Sequence, residues 1–193
     1  MQVAIPQKVA SARAAVHRYA PILILATVLL GLGGRAPAPA QPTRAALEPF
    51  TGHWKGPFVA YTPAGEPVDS LTAEHRYRWD GEVQVGTQID RYPDGRVVRH
   101  TARNYVRNDT LFCEVTHADS STTVYRGRPV GDAVVWHRRT DAGLVESFRE
   151  RVVQTPEGPV YRIDGFGVYP NDDGSASYLH FVGRYRRVEA ASD

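Results

Sequence analysis

Four polar side chains of this sequence occupy positions where two-residue alternation gives them the same face as apolar neighbours. They are His75, His100, Asn104 and His117. An imidazole can orient a ligand by hydrogen bonding, bind a metal or exchange a proton near neutral pH. Because burying an unpaired polar group costs free energy, such residues on an inner face indicate a cavity that holds water or a ligand. The alternative is that each histidine lies near a rim and is satisfied by a neighbour or by solvent.

A metal site formed by the three histidines is a further possibility, since a three-histidine set leaves one coordination position open. His75, His100 and His117 fall in three different predicted strands, so they could converge. No H-x-H or H-x-x-x-H spacing supports this, and we predict no metal.

Catalytic motifs are not found in the chain, which has no G-x-S-x-G nucleophile elbow and no G-x-x-x-x-G-K-[ST] phosphate loop. Glu146 and Glu150 alternate with Phe148, so either could be internal and act with a histidine as an acid/base pair. Surface ion pairs with Arg149 and Arg151 explain them more simply. Binding is therefore favoured over catalysis.

The elements that must position these residues are β-strands, because alternating runs are separated by turn dipeptides such as Asp80-Gly81 and Asp94-Gly95. Such short connections force neighbouring strands to be antiparallel, and about ten strands curl and close to remove their edges. We predict an all-β, single up-and-down barrel, with a two-sheet sandwich as the alternative. The predicted strands are 54–61, 71–80, 82–92, 97–107, 110–117, 121–127, 133–139, 144–154, 160–169 and 177–188.

Phasing of the alternation predicts which side chains form the inner wall and would contact a ligand. The face of strand 97–107 that carries three arginines must face water, so His100 and Asn104 face inward. The predicted ligand-binding residues are His75, Tyr77, Trp79, His100 and His117. They favour a small, largely apolar ligand that is oriented by a few hydrogen bonds.

The first forty residues have the order of a secretory signal peptide. Basic residues precede the apolar run 20–32, and a small-residue stretch ends at Ala38-Pro39-Ala40. We expect cleavage before Gln41, a barrel domain over 41–193, and a periplasmic or extracellular location. An uncleaved anchor is the alternative, although the run is shorter than the roughly 20 residues that span a bilayer.

Charge and cysteine content exclude several partners. Four of the 23 basic residues and none of the 21 acidic ones lie in residues 1–40, so residues 41–193 carry 19 basic and 21 acidic side chains. This near-neutral balance predicts no nucleic-acid partner and no membrane contact beyond the leader. The single cysteine, Cys113, alternates with apolar residues and is expected to be a buried thiol. Nothing in the sequence indicates an oligomeric state.

A Gly-x-Trp motif opens the barrel domain as Gly52-His53-Trp54-Lys55-Gly56. With the all-β meander that follows, it resembles the calycin superfamily of lipocalin-like barrels. The resemblance implies that Trp54 closes the base of the barrel under an arginine of the last strand. Arg184, Arg186 and Arg187 are available, and Arg186 is included in the predicted structural motif.

The longer Gly-x-Trp-x-Gly form is also similar to nitrobindin, a ten-stranded haem-binding barrel. In that family the last strand carries the axial histidine ahead of paired basic residues, which implies His180 as a haem ligand here. The chain departs from the family at Pro57-Phe58 and in having a leader. Phasing also places His180 on the outer face with Tyr178 and Val182. The cofactor therefore stays open, with haem as an alternative to the apolar ligand.

Overall fold

A closed barrel of ten antiparallel strands forms the described part of the chain. The computed structural model describes residues 44–189. Each strand pairs with its sequence neighbours, and the last pairs with the first, which confirms the predicted all-β up-and-down barrel. The strands are β1 (Gly52–Tyr61), β2 (Pro67–Asp80), β3 (Val83–Arg91), β4 (Val97–Arg107), β5 (Thr110–Thr116), β6 (Thr122–Val130), β7 (Ala133–Arg139), β8 (Val145–Thr155), β9 (Gly158–Pro170) and β10 (Ala176–Arg187).

Residues 44–189 include no helix that is both long and apolar enough to cross a membrane. The predicted signal peptide and the cleavage site before Gln41 lie outside the described residues.

Four strands, β1, β2, β6 and β9, are longer than the alternation predicted, with the largest extensions at one end in β2 and β6. β2 begins at Pro67 and β6 ends at Val130, because cross-strand pairing with β1 and β7 continues past the alternating pattern.

The two ends of the barrel use different turns. At one end, here called the base, two-residue hairpins join the strands, as at Gly81-Glu82 between Asp80 and Val83. In the base hairpin Asn108-Asp109 both residues have positive φ, which is the conformation of a tight primed turn. The chain also enters β1 and leaves β10 at the base.

At the opposite, upper end, five hairpins share one five-residue loop geometry. In each, the first residue donates to the carbonyl of the fifth, and the fourth donates back to the carbonyl of the first. In the loop 92–96, for example, these distances are 2.9 and 3.1 Å. The five loops are 62–66, 92–96, 117–121, 140–144 and 171–175. A repeated loop of one length keeps the strand ends of the upper end level with one another.

The base is closed by a short segment that precedes β1. Two 3₁₀ turns, Arg44–Ala46 and Glu48–Phe50, place Leu47 and Phe50 in the core. Trp54 is 1% exposed, and its indole N–H donates to the Phe50 carbonyl at 2.9 Å. Three-residue 3₁₀ turns have no periodic pattern, so alternation does not predict this closure.

The arginine that covers Trp54 is Arg187. Its guanidinium lies 5.3 Å from the Trp54 ring centre and donates to the Thr51 carbonyl at 2.7 Å. Arg186, which the sequence analysis placed in the motif, instead points outward and pairs with Glu157 at 2.9 Å. The correction follows from alternation, since adjacent residues of a strand face opposite sides.

The two glycines of the motif allow close approach of β1 to β10. Gly52 has a φ of +121°, and a Cβ there would lie 2.8 Å from the Arg187 guanidinium. A Cβ on Gly56 would lie 2.0 Å from the carbonyl oxygen of Arg184. Both positions therefore require glycine.

Candidate functional site

Midway along the barrel, the inner wall surrounds a space that we call the central cavity. Tyr77, Cys113 and Glu150 point into the barrel and yet keep accessible surface, because they face this space. The remaining lining residues are Gln88, Ala102, Asn104, Val115, Tyr125, Trp136 and Phe148. The space has a volume of about 20 Å³, so a ligand larger than a water molecule has to displace side chains of the wall. The wall combines aromatic side chains with a few polar groups, as small-molecule sites do.

Glu150 is the acidic group of the central cavity. Tyr161 donates to its Oε2 at 2.9 Å. Burial raises the pKa of the Glu150 carboxyl, because desolvation disfavours its charged form. No arginine or lysine of residues 44–189 forms an ion pair with it. Its charge is therefore uncompensated within the described part of the barrel.

Asn104 presents an unpaired acceptor beside the cavity. Gln84 donates through Nε2 to the Leu47 carbonyl at 2.9 Å, and a carbonyl can only accept. The Gln84 Oε1 therefore accepts, and Asn104 donates its Nδ2 to it at 3.0 Å. This chain fixes the Asn104 amide so that its Oδ1 is the free end, buried and without a partner. The Leu47 carbonyl thus determines, through two amides, that the Asn104 oxygen is the atom left unpaired.

A polar row lies above the central cavity. Gln88 donates to both oxygens of Asp90 at 2.9 and 3.0 Å, and the Asp90 Oδ2 is 3.7 Å from the His100 Nε2. The His100 and His117 Nδ1 atoms are 3.0 Å apart, and the His117 Nε2 is 3.0 Å from the Thr123 hydroxyl. Burial raises the pKa of Asp90 to about 6 and lowers that of His100 to about 4. Both shifts favour the uncharged forms.

A second polar group at the upper end is centred on Glu146, which is 1% exposed. Tyr125 and Tyr169 donate to its two carboxylate oxygens at 2.7 and 2.8 Å. Arg138 lies 3.4 Å from the same carboxylate. Glu146 is thereby fully engaged by its neighbours.

His75 lies below the cavity, among aromatic rings. It is 0% exposed, and its ring centre is 4.8 Å from that of Tyr185. Its Nδ1 is 3.5 Å from the Tyr77 hydroxyl, and its Nε2 has no partner. Burial lowers the pKa of His75 to about 3, so the ring is neutral at physiological pH.

The five predicted ligand-binding residues all face inward, but at different levels of the barrel. Tyr77 lines the central cavity, and His75 lies directly beneath it. His100 and His117 belong to the upper polar row. Trp79 lies at the base rim, under Arg44 at 4.1 Å, and donates its indole N–H to Glu48. They therefore do not converge on one point.

His180, the predicted haem ligand, is exposed on the outer face of β10. Its neighbours Leu179 and Phe181 are buried inside, so alternation directs the His180 ring away from the cavity. It borders a shallow outer depression together with Tyr61 and Val182. No bulge in the β9–β10 pairing turns it inward. The structure therefore does not place His180 where an internal haem could bind.

Glu146 and Glu150 correct a further expectation. The neighbouring arginines predict that the two carboxylates form surface ion pairs with Arg149 and Arg151. Instead, both carboxylates point into the barrel and accept hydrogen bonds from tyrosines. The signal was the alternation of Glu146, Phe148 and Glu150 on one face. The same alternation in β6 and β7 also identifies Tyr125 and Trp136, which the sequence analysis did not select.

Metal ligands are not grouped in the described chain. Residues 44–189 contain no set of three histidine, cysteine or acidic side chains arranged to hold an ion. Cys113 lines the cavity, where burial raises the pKa of its thiol to about 11.

Comparisons with known proteins do not assign this chain to a family. No protein-family model matches the chain, and no curated protein matches it. Among solved structures it is similar to one described as the crystal structure of Rv2717c from M. tuberculosis. The two share 17% identity over 75% of this chain and 98% of the other, with a TM-score of 0.48. At that level the likeness carries no functional argument, and the barrel assignment rests on the strand pairing itself.

Proposed function

We propose that this protein is a binding protein that holds a small molecule in the central cavity. The observation that carries the proposal is the unpaired Asn104 Oδ1 beside a cavity into which Glu150 and Tyr77 still expose surface. A barrel whose interior served only packing would fill this level with aliphatic side chains. Unpaired buried polar groups cost free energy that a ligand can offset by hydrogen bonding.

Aromatic side chains supply the apolar part of the proposed site. Tyr77, Tyr125, Trp136 and Phe148 line the cavity, so a ligand with a flat, largely apolar body would pack against rings. The polar groups then orient it.

Binding is better supported than catalysis by the partners of the inner carboxylates. Glu146 and Glu150 accept hydrogen bonds from tyrosines rather than from histidines. On the inner wall of the described residues, the His100 Nε2 and the Asp90 Oδ2 are 3.7 Å apart. This pair lies above the cavity.

We also propose that the barrel is calycin-like and exported. The Gly-x-Trp motif under Arg187 and the ten-strand meander support the first statement. The order of basic, apolar and small residues in 1–40 supports the second. Amino-terminal sequencing of the protein recovered from its host envelope would show whether it begins at Gln41.

Calorimetric titration of the full chain with benzyl alcohol and benzylamine tests the binding proposal. Ala102→Leu fills the cavity from one wall, and Thr101→Leu makes the same class of change on the exposed outer face as a control. We expect one site in the wild type, with affinity at least about tenfold weaker in Ala102→Leu and unchanged in Thr101→Leu. Absence of binding of both probes, or equal affinity in both variants, would overturn the proposal.

A further inference from the structure

The inner wall carries more acidic than basic side chains. Asp90, Glu146 and Glu150 all point inward. Among the strands of residues 44–189, alternation places two basic side chains on the inner face: Arg138, which Glu146 already holds, and Arg187, which covers Trp54 at the base. Neither forms an ion pair with Glu150. Burial lowers the pKa values of His75 and His100, so these two rings add no positive charge at neutral pH. Among the described residues, no positively charged side chain therefore balances Glu150 at the central cavity.

Aromatic rings surround the uncompensated carboxylate. Trp136 and Tyr77 share the cavity wall with Glu150, and Phe148 stands two residues before it on the same face of β8. The face of an aromatic ring carries negative electrostatic potential and attracts cations, most strongly where water is excluded. The Trp136 side chain also hydrogen bonds to Glu150. The carboxylate and the aromatic wall together are complementary to a positive group.

The free hydrogen-bonding capacity at the cavity is that of an acceptor. Asn104 borders the cavity, is 6% exposed and keeps its Oδ1 unpaired, because Gln84 takes its amide donor. An acceptor beside a carboxylate requires a ligand that donates hydrogen bonds. A protonated amine both donates and carries the positive charge that the aromatic wall favours.

We propose that the ligand of the central cavity is a cationic amine, whose ammonium group binds Glu150 and Asn104 and whose body packs on the aromatic wall. This inference rests on the proposed function and specifies its ligand class. A cationic amine differs from the largely apolar ligand expected from the sequence. Strand phasing alone does not show that Glu150 faces the cavity or that no cation pairs with it.

Glu150 is also the group whose charge would respond to such a ligand. The titratable side chains that face it are Tyr77, Tyr161, Tyr185 and Cys113, and burial raises the pKa of each of them. They stay neutral between pH 5 and 8. Because burial raises the pKa of Glu150, amine affinity is expected to rise with pH as Glu150 becomes ionised.

Calorimetry with three probes that share a phenyl body tests the inference on the full chain. The probes are benzylamine, benzyl alcohol and benzoate, which place a cation, a neutral hydroxyl and an anion on similar bodies. Wild-type protein is expected to bind benzylamine at least about tenfold more tightly than benzyl alcohol, with benzoate weakest. Glu150→Gln is expected to lose that tenfold preference while it keeps its affinity for benzyl alcohol.

Glu157→Gln is the matched control, because it makes the same change at an exposed base turn. It should leave all three affinities unchanged. Equal binding of amine and alcohol by the wild type, sensitive to Ala102→Leu, would overturn the cationic ligand and leave the binding function standing. No binding of any probe would overturn the function itself. The wild-type order of the three probes decides the question even if Glu150→Gln does not fold.

Discussion

The base and the upper end of this barrel are closed by different chemistry. At the base, Trp54, Phe50 and Tyr161 pack with ring centres 5.1 to 5.8 Å apart, and Arg187 covers them. At the upper end, buried carboxylates and imidazoles hydrogen bond beneath five similar loops. Apolar contact at the base gains stability from burial, whereas a buried polar network gains little net free energy but fixes donors and acceptors in place. The base therefore contributes most of the stability, and the proposed ligand site lies in the levels above it.

Truncation at the base should have the largest effect on stability. Trp54→Ala removes a fully buried ring and its hydrogen bond to Phe50, and we expect a loss of about 3–5 kcal/mol in the free energy of unfolding. Urea denaturation measures it. Trp79→Ala, at the half-exposed base rim, is the control and should lose clearly less. Similar losses in both would show that the base is not centred on Trp54.

Acid should destabilise the protein through His75. The folded pKa of about 3 lies below the ordinary 6.5, so the unfolded chain binds the proton first, and stability is lost as pH falls from 6.5 toward 3. Between pH 6.5 and 4.5 this amounts to roughly 2 kcal/mol. His75→Phe should remove that part of the pH dependence in urea titrations at pH 7 and pH 5. An unchanged pH slope would contradict the assignment.

The pKa shifts of Asp90 and His100 should largely cancel in the pH dependence of stability over the same range. Asp90 has a raised pKa of about 6, so the folded state gains stability as pH falls from 6 toward 4. His100, with a pKa lowered to about 4, loses stability over nearly the same interval. Asp90→Asn should therefore steepen the acid destabilisation, which urea titration at several pH values would show. If Asp90→Asn instead loses less stability on acidification than the wild type, the prediction is wrong.

Removing the charge of Glu146 should have a moderate effect on stability. Glu146→Gln leaves Arg138 without its carboxylate and weakens the bonds from Tyr125 and Tyr169, and we expect a loss of about 1–3 kcal/mol. Thermal unfolding followed by circular dichroism measures it. A loss as large as that of Trp54→Ala would remove the distinction between the two ends.

Changing His180 should have the smallest effect. Because its side chain is exposed on the outer face, His180→Ala should change stability by no more than about 0.5 kcal/mol. In a haem titration followed by absorbance, any Soret change should be the same in wild type and variant. A saturable Soret shift that His180→Ala abolishes would contradict the outward placement.

Alternation predicted the face of a side chain but not its height along the barrel. His75, His100 and His117 were correctly expected inside, yet they lie at different levels because level depends on the register between strands. Register is set by turns and by pairing across the whole sheet, which a single strand does not encode. Counting residues from the five upper loops would have separated His100 and His117 from Tyr77.

Two features of the candidate site needed the three-dimensional structure. Glu150 resembles a surface carboxylate in sequence because Arg149 and Arg151 flank it. Alternation with Phe148 allowed an inner position, and the pairing of Glu150 with the buried Ile163 decides for it. The free Oδ1 of Asn104 depends on Gln84 and on the Leu47 carbonyl, which are 20 and more residues away in sequence. The spacing of these residues in the sequence does not indicate that hydrogen bonds connect them.

The binding of a small molecule inside the barrel is tested most directly by nuclear Overhauser effects between benzylamine and the protein's methyl groups. We predict nuclear Overhauser effects between the phenyl protons and the methyl groups of Ala102 and Val115, which line the central cavity. Val124, exposed on the outer face, should show none. Contacts confined to outer methyls such as Val124, or no contacts at saturating benzylamine, would contradict it.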